Sequence, residues 1–299
     1  MNGFVQKYYP LINQKLINNE LYHLVSVLEQ IKHHESSEEL IAFFFSLENN
    51  KRIREGNFPI SFSKDLKDDE DFKLVFLMFY ASIIYHLALL MKSKGMEPPR
   101  YILFSGTGSK VVNIADPGQG LRNLTEFTNL IFKDVLGMPS VSLELKQYDE
   151  PKEITCKGSL LCDQFINTDN IKTVVTGMDV APGKEIAVRY HQLQNREVLQ
   201  SVTASVGKFI DKFFEWNDAY HYPQKFGVNP SGLGAQKLLL KEDMMQYLMA
   251  GVKEKLEEEK DNLDLVLDET LFFYSLRGLL HRMARHITNM NRLSEREVL

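Results

Sequence analysis

The stretch 101–110 constrains the fold of this chain more than any other. Tyr101, Ile102, Leu103 and Phe104 are large apolar residues in a row, the composition of a strand buried on both faces in the centre of a sheet. Ser105 and Gly106 end the strand. Gly106 and Gly108 permit backbone conformations that a Cβ forbids, and they let a ligand approach the main chain. Ser109 is placed to cap the next helix, and Val111, Val112 and Ile114 give that helix its first apolar positions. The order strand, glycine turn, helix start leaves N–H groups at the turn that suit an anion or a nucleotide.

Two familiar nucleotide motifs fit poorly. A Walker A loop needs Gly-Lys followed by a hydroxyl residue, but Lys110 follows Ser109 and precedes Val111. A dinucleotide fingerprint needs a third glycine where Val111 stands. A Rossmann-type enzyme using Gly106 and Gly108 would take Glu126 as its ribose acid, yet a helix or loop occupies the region where a second strand should carry that residue.

The neighbours of the turn point elsewhere. Upstream, a helical run closes at Gly95, and Pro98 and Pro99 lead into the strand. Downstream, 121–136 is amphipathic and Gly137 stops it. Residues 141–145 alternate like a strand, and Pro151, Glu153 and Gly158 come next at fixed spacing. A hydrophobic strand, a glycine turn with a small hydroxyl residue, a helix, a strand and a Pro-x-Glu-x-x-x-x-Gly segment together resemble the second, adenosine-binding half of the actin, sugar-kinase and heat-shock ATPase superfamily. The resemblance covers residues 72–165.

It implies a ribonuclease H-like α/β core with an adenine nucleotide, ATP or ADP, as ligand. Gly106, Thr107, Gly108, Ser109 and Lys110 would form the adenosine loop. Thr107 stands where the superfamily has a second glycine, which narrows the approach of a ligand to the main chain. Lys110 stands where the heat-shock ATPases have an arginine flanking adenine, and lysine stacks less well than a planar guanidinium. Mg²⁺ would accompany the nucleotide, but no ligand for it is identifiable. The superfamily hydrolyses ATP with two phosphate hairpins, each carrying an acidic residue and glycines. Residues 1–100 hold only Gly3, Gly56 and Gly95 and no Asp-x-Gly hairpin, so the chain either belongs to a longer protein or has lost hydrolysis. The competing reading is a tight strand-to-helix turn without ligand, in a non-catalytic interaction module that keeps the fold.

The rest of the sequence sets bounds. Net charge is −5, which argues against a nucleic-acid partner. Cys156 and Cys162 read as two reduced thiols of a cytoplasmic protein. Residues 74–91 carry no formal charge and touch the length of a membrane span, but Ser82, His86 and the tyrosines Tyr80 and Tyr85 favour a helix buried against a sheet. His86 reads as a hydrogen-bonded core histidine. His33 and His34 read as surface residues, and Asp68, Asp69, Glu70 and Asp71 as an acidic start to the 74–91 helix.

Three regions are expected: a helical region 1–71, the adenosine-binding core 72–165 and an extension 166–299 of two strands and three helices. The first region holds helices over 10–33 and 37–47. In the extension, 171–176 and 185–190 alternate like a hairpin, helices come at 197–216, 235–260 and 265–289, and 220–234 reads as loop. Arg277, Arg282 and Arg285 along the last helix read most simply as cations near a helix C-terminus, where the dipole favours them; the alternative is a surface of the C-terminal helices for an acidic protein partner.

Overall fold

A computed structural model describes residues 2–34, 70–106, 109, 111–117, 120–147, 188–228, 233–267 and 269–297. The chain is α/β and mostly helical, and its described residues form a small parallel sheet of two strands. The expected segments 37–47, 151–158 and 171–176, and both cysteines, lie outside the described residues.

Helices α1 (Asn2–Asn18) and α2 (Tyr22–His34) pack on each other. A single helix over 10–33 was expected. Instead Glu20 takes φ 58°, and the N–H of Leu21 returns to the carbonyl of Leu16 at 3.0 Å, a left-handed stop of the kind that ends helices. The adjacent Asn18 and Asn19 are the sequence signal for it.

Helix α3 (Glu70–Ser93) is the spine. Among the described residues it is the one helix long and apolar enough to cross a membrane, and 61% of its apolar window is buried inside the protein. Leu77, Met78, Ala81, Ile84, Tyr85 and Ala88 are buried, so its hydrophobicity is spent on protein contacts on several sides. Beyond it run β1 (Tyr101–Phe104), the single turn α4 (Val112–Ala115), α5 (Arg122–Leu136) and β2 (Glu144–Gln147).

The strands are parallel, Tyr101 facing Glu144 and Phe104 facing Gln147, with α4 and α5 as the crossover that a parallel pair requires. Gly137 ends α5 in the left-handed conformation (φ 70°), as its position predicts. Strand β2 starts three residues later than expected, because the side chain of Asn129 occupies the main chain of Leu143, accepting from its N–H at 2.8 Å and donating to its carbonyl at 3.0 Å.

The expectation for β1 needs correction. The strand is not buried on both faces, and among the described residues it pairs with β2 alone. Ile102 and Phe104 pack on the core, with Phe104 6.3 Å from the ring of Tyr80, but Tyr101 and Leu103 are 49% and 48% exposed on the other face. Four apolar residues in a row therefore mark a strand covered on one side.

The described residues from 196 onward are mostly helical: α6 (Arg196–Tyr220), α7 (Tyr222–Phe226), α8 (Leu233–Glu242), α9 (Met244–Glu258) and α10 (Phe272–Glu297). Asn195 caps α6 by accepting from the N–H of Glu197. The predicted loop 220–234 contains α7, because Tyr222 buries its ring and donates its hydroxyl to the carbonyl of Phe213 at 2.6 Å. The predicted helix 235–260 breaks at Asp243, where Arg282 of α10 pairs with Glu242 and Asp243. Arg282 is thus held by these acids rather than placed for a helix dipole alone. The last helix begins at Phe272 rather than near 265. The end of the predicted 185–190 strand is described: Arg189 forms an antiparallel bridge with Val266, and Tyr190 starts a short 3-10 turn.

One continuous core joins α3, α5, α6, α9 and α10. Aromatic rings link its parts. Phe127 of α5 meets Trp216, Tyr220, Tyr222 and Phe226 with centroids 5.1–6.2 Å apart, and Tyr85 of α3 meets Phe209, Trp216 and Phe272. Stacked, tilted and edge-on contacts of this kind add to the burial of each ring. Inside the core, Tyr80 donates to Thr128 at 2.6 Å, and Thr128 passes its own proton to the carbonyl of Leu124.

Candidate functional site

The parallel crossover places the glycine turn at the carboxyl end of β1, beside the carboxyl end of β2. Gly106 takes φ +80°, a conformation open to glycine and strained for a residue with a Cβ. The space where a Cβ would stand is open, with nothing within 4 Å. Ser109 closes the turn, its N–H donating to the carbonyl of Gly106 at 3.1 Å. From β2, Gln147 donates its Nε2 proton to the carbonyl of Ser109 at 3.1 Å.

Ser109 is 8% exposed, and among the described residues its hydroxyl has no hydrogen-bond partner. This corrects its expected role as a helix cap: α4 starts at Val112 behind Val111, with no side-chain cap. A buried hydroxyl without a partner is costly, so such a group marks a place where a ligand or water belongs. The open side of Gly106 and the hydroxyl of Ser109 thus lie on one turn. Thr107, Gly108 and Lys110 lie outside the described residues, as do Pro151, Glu153 and Gly158 of the second motif.

Two acids that follow the turn in sequence are committed elsewhere. Asp116 is buried and accepts from the N–H of Leu124 at 3.0 Å, which ties the end of α4 to the first turn of α5. Sequence reasoning left it without a role; an acid shortly before an uncapped helix was the available signal. Glu126, the ribose acid of the Rossmann reading, sits on α5. It accepts from Lys225 at 3.1 Å, Tyr220 at 3.0 Å and Arg122 at 3.2 Å. The bonds from Lys225 and Tyr220 hold its carboxyl below the usual range. It therefore locks α5 to the α6–α7 corner and is not presented to a ribose.

His86, expected as a hydrogen-bonded core histidine, is half-buried. The ring stacks on Phe272 at 5.2 Å and meets the edge of Phe273 at 5.4 Å, and among the described residues Nδ1 has no hydrogen-bond partner. Desolvation lowers its pKa to about 4, which keeps the ring neutral. Among the described residues no cluster of His, Cys, Asp or Glu is arranged to hold a metal ion.

An open groove of about 420 Å³ lies between α5 and α6, away from the glycine turn. Trp216 floors it and donates to Asp134 at 3.0 Å, and Lys212 pairs with Asp134 at 3.2 Å and Glu215 at 3.1 Å. Its charges already neutralise one another, so the turn is the stronger site candidate.

No protein-family profile matches the chain, and comparison with curated proteins and with solved structures finds no significant relative.

Proposed function

We propose that this chain is an adenine-nucleotide-binding module of the actin-like, chaperone-like ATPase type, and that it does not hydrolyse ATP by itself. The observation that carries the reading is the parallel β1–β2 pair with the Gly106 turn at its carboxyl end, because open α/β sheets bind ligands outside the carboxyl ends of their strands. The open side of Gly106 and the orphan hydroxyl of Ser109 supply space and a polar contact there. Phosphoryl transfer depends on groups that position the γ-phosphate, its metal and the attacking water. The sequence of residues 1–100 carries no Asp-x-Gly pattern for that purpose.

A second reading, a non-catalytic interaction module without nucleotide, is favoured by the half-exposed Tyr101 and Leu103 on the outer face of the sheet. Calorimetric titration with ATP and ADP separates the two, with circular dichroism as the folding control. Gly106→Val and Gly108→Val are expected to abolish binding and keep the helical signal. Lys110→Ala is expected to weaken binding by on the order of 0.5–2 kcal/mol, the range of a cation beside an aromatic base. Glycine variants that bind like wild type would move any nucleotide site away from this turn.

A further inference from the structure

We infer that Gln147 is the positioning residue of the glycine turn, an inference that rests on the nucleotide reading above. Glycines make a turn permissive, so Gly106 alone does not select one arrangement of the loop. Something rigid must select it. Gln147 ends β2 and lies opposite Phe104, the last residue of β1. From that fixed position its Nε2 reaches the carbonyl of Ser109 at 3.1 Å.

The two main-chain groups of Ser109 are then both engaged. Its N–H points back to the carbonyl of Gly106, and its carbonyl is held by β2. With its N–H and its carbonyl each engaged, the hydroxyl is the polar group of Ser109 left for a ligand; it is buried and has no hydrogen-bond partner among the described residues. A nucleoside brings ribose hydroxyls and ring nitrogens that can donate to or accept from it. Gln147 thus acts on the ligand through Ser109, without touching the ligand itself.

The test uses the full chain with Gln147→Ala and Gln147→Glu, read by amide hydrogen exchange at Ser109 and by calorimetric titration with ATP. Glutamate keeps the shape of glutamine, but its carboxylate has no proton to donate. Both variants are expected to exchange the Ser109 amide faster than wild type, with the α5 amides unchanged. Both are expected to bind ATP about fivefold to tenfold more weakly, the loss that one hydrogen bond commands. Unchanged exchange at Ser109 in both variants overturns the inference, whatever the nucleotide does. Faster exchange with undiminished ATP affinity also overturns it, and so does a glutamate variant that behaves like wild type. If wild type binds neither ATP nor ADP, the nucleotide reading falls, and exchange at Ser109 still decides whether Gln147 holds the turn.

Discussion

Replacing Gly278 by alanine sets two effects of opposite sign against each other. Gly278 lies within α10, where alanine is favoured over glycine by about 1 kcal/mol on helix propensity alone. The packing opposes this. A Cβ at Gly278 would stand 2.8 Å from the Cβ of Tyr247 on α9 and closer still to its ring. Ring rotation cannot relieve a contact with a Cβ, so the two helices must move apart. Gly251 on α9 mirrors the arrangement, with a new Cβ 2.9 Å from Cδ2 of Tyr274 on α10. The matched pairs run in opposite order along the two helices, so α9 and α10 are antiparallel, each offering a glycine notch to the other's tyrosine.

Overpacking of this severity costs about 1–3 kcal/mol. After the propensity gain, Gly278→Ala is expected to destabilise by up to about 2 kcal/mol. Gly251→Ala is expected to fall nearer zero, because its contacts are looser. The assay is urea unfolding monitored by the fluorescence of Trp216, the single tryptophan of the chain, which is buried in the core. Tyr247→Ala in the Gly278→Ala background should remove the clash, giving a double-variant coupling of opposite sign to the single penalty. A Gly278→Ala midpoint above wild type would refute the notch.

Two other expected outcomes concern His86 and ATP turnover. Because His86 titrates near pH 4 when folded and near its ordinary value of 6.5 when unfolded, the unfolded chain binds the extra proton between those limits. Its stability contribution is whole above pH 6.5 and lost as pH falls towards 4, by at most about 3 kcal/mol, and His86→Leu should flatten that part of a pH series of urea midpoints. An unchanged slope would show that the ring is not desolvated. Steady-state ATP turnover by the isolated chain should stay well below about 1 s⁻¹, the lower end for kinases. A rate above that would reveal a phosphate loop outside the expected positions.

Local signals and tertiary contacts divided the structure between them. Helix α5 was legible because its apolar face and the Gly137 stop agree. The strand–turn–crossover order around Gly106 was legible for the same reason, since composition and glycine placement agree. The break at Asp243 was not, because the surrounding residues favour helix and the interruption coincides with Arg282, distant in sequence. Nor was α7, which depends on buried places for Tyr222 and Phe226 supplied by other elements. The exposure of β1 escaped for a related reason: apolar composition cannot tell how many layers cover a strand. At the candidate site, Gly106 and Ser109 could be named from their types, but the bond from Gln147 depends on parallel register and could not.

Calorimetric titration of the wild-type chain with ATP and with ADP tests the central claim most directly. Saturable binding at one site is expected for both nucleotides, lost in Gly106→Val. An absence of binding heat up to millimolar nucleotide, in a chain whose circular dichroism shows the helical fold, would contradict it.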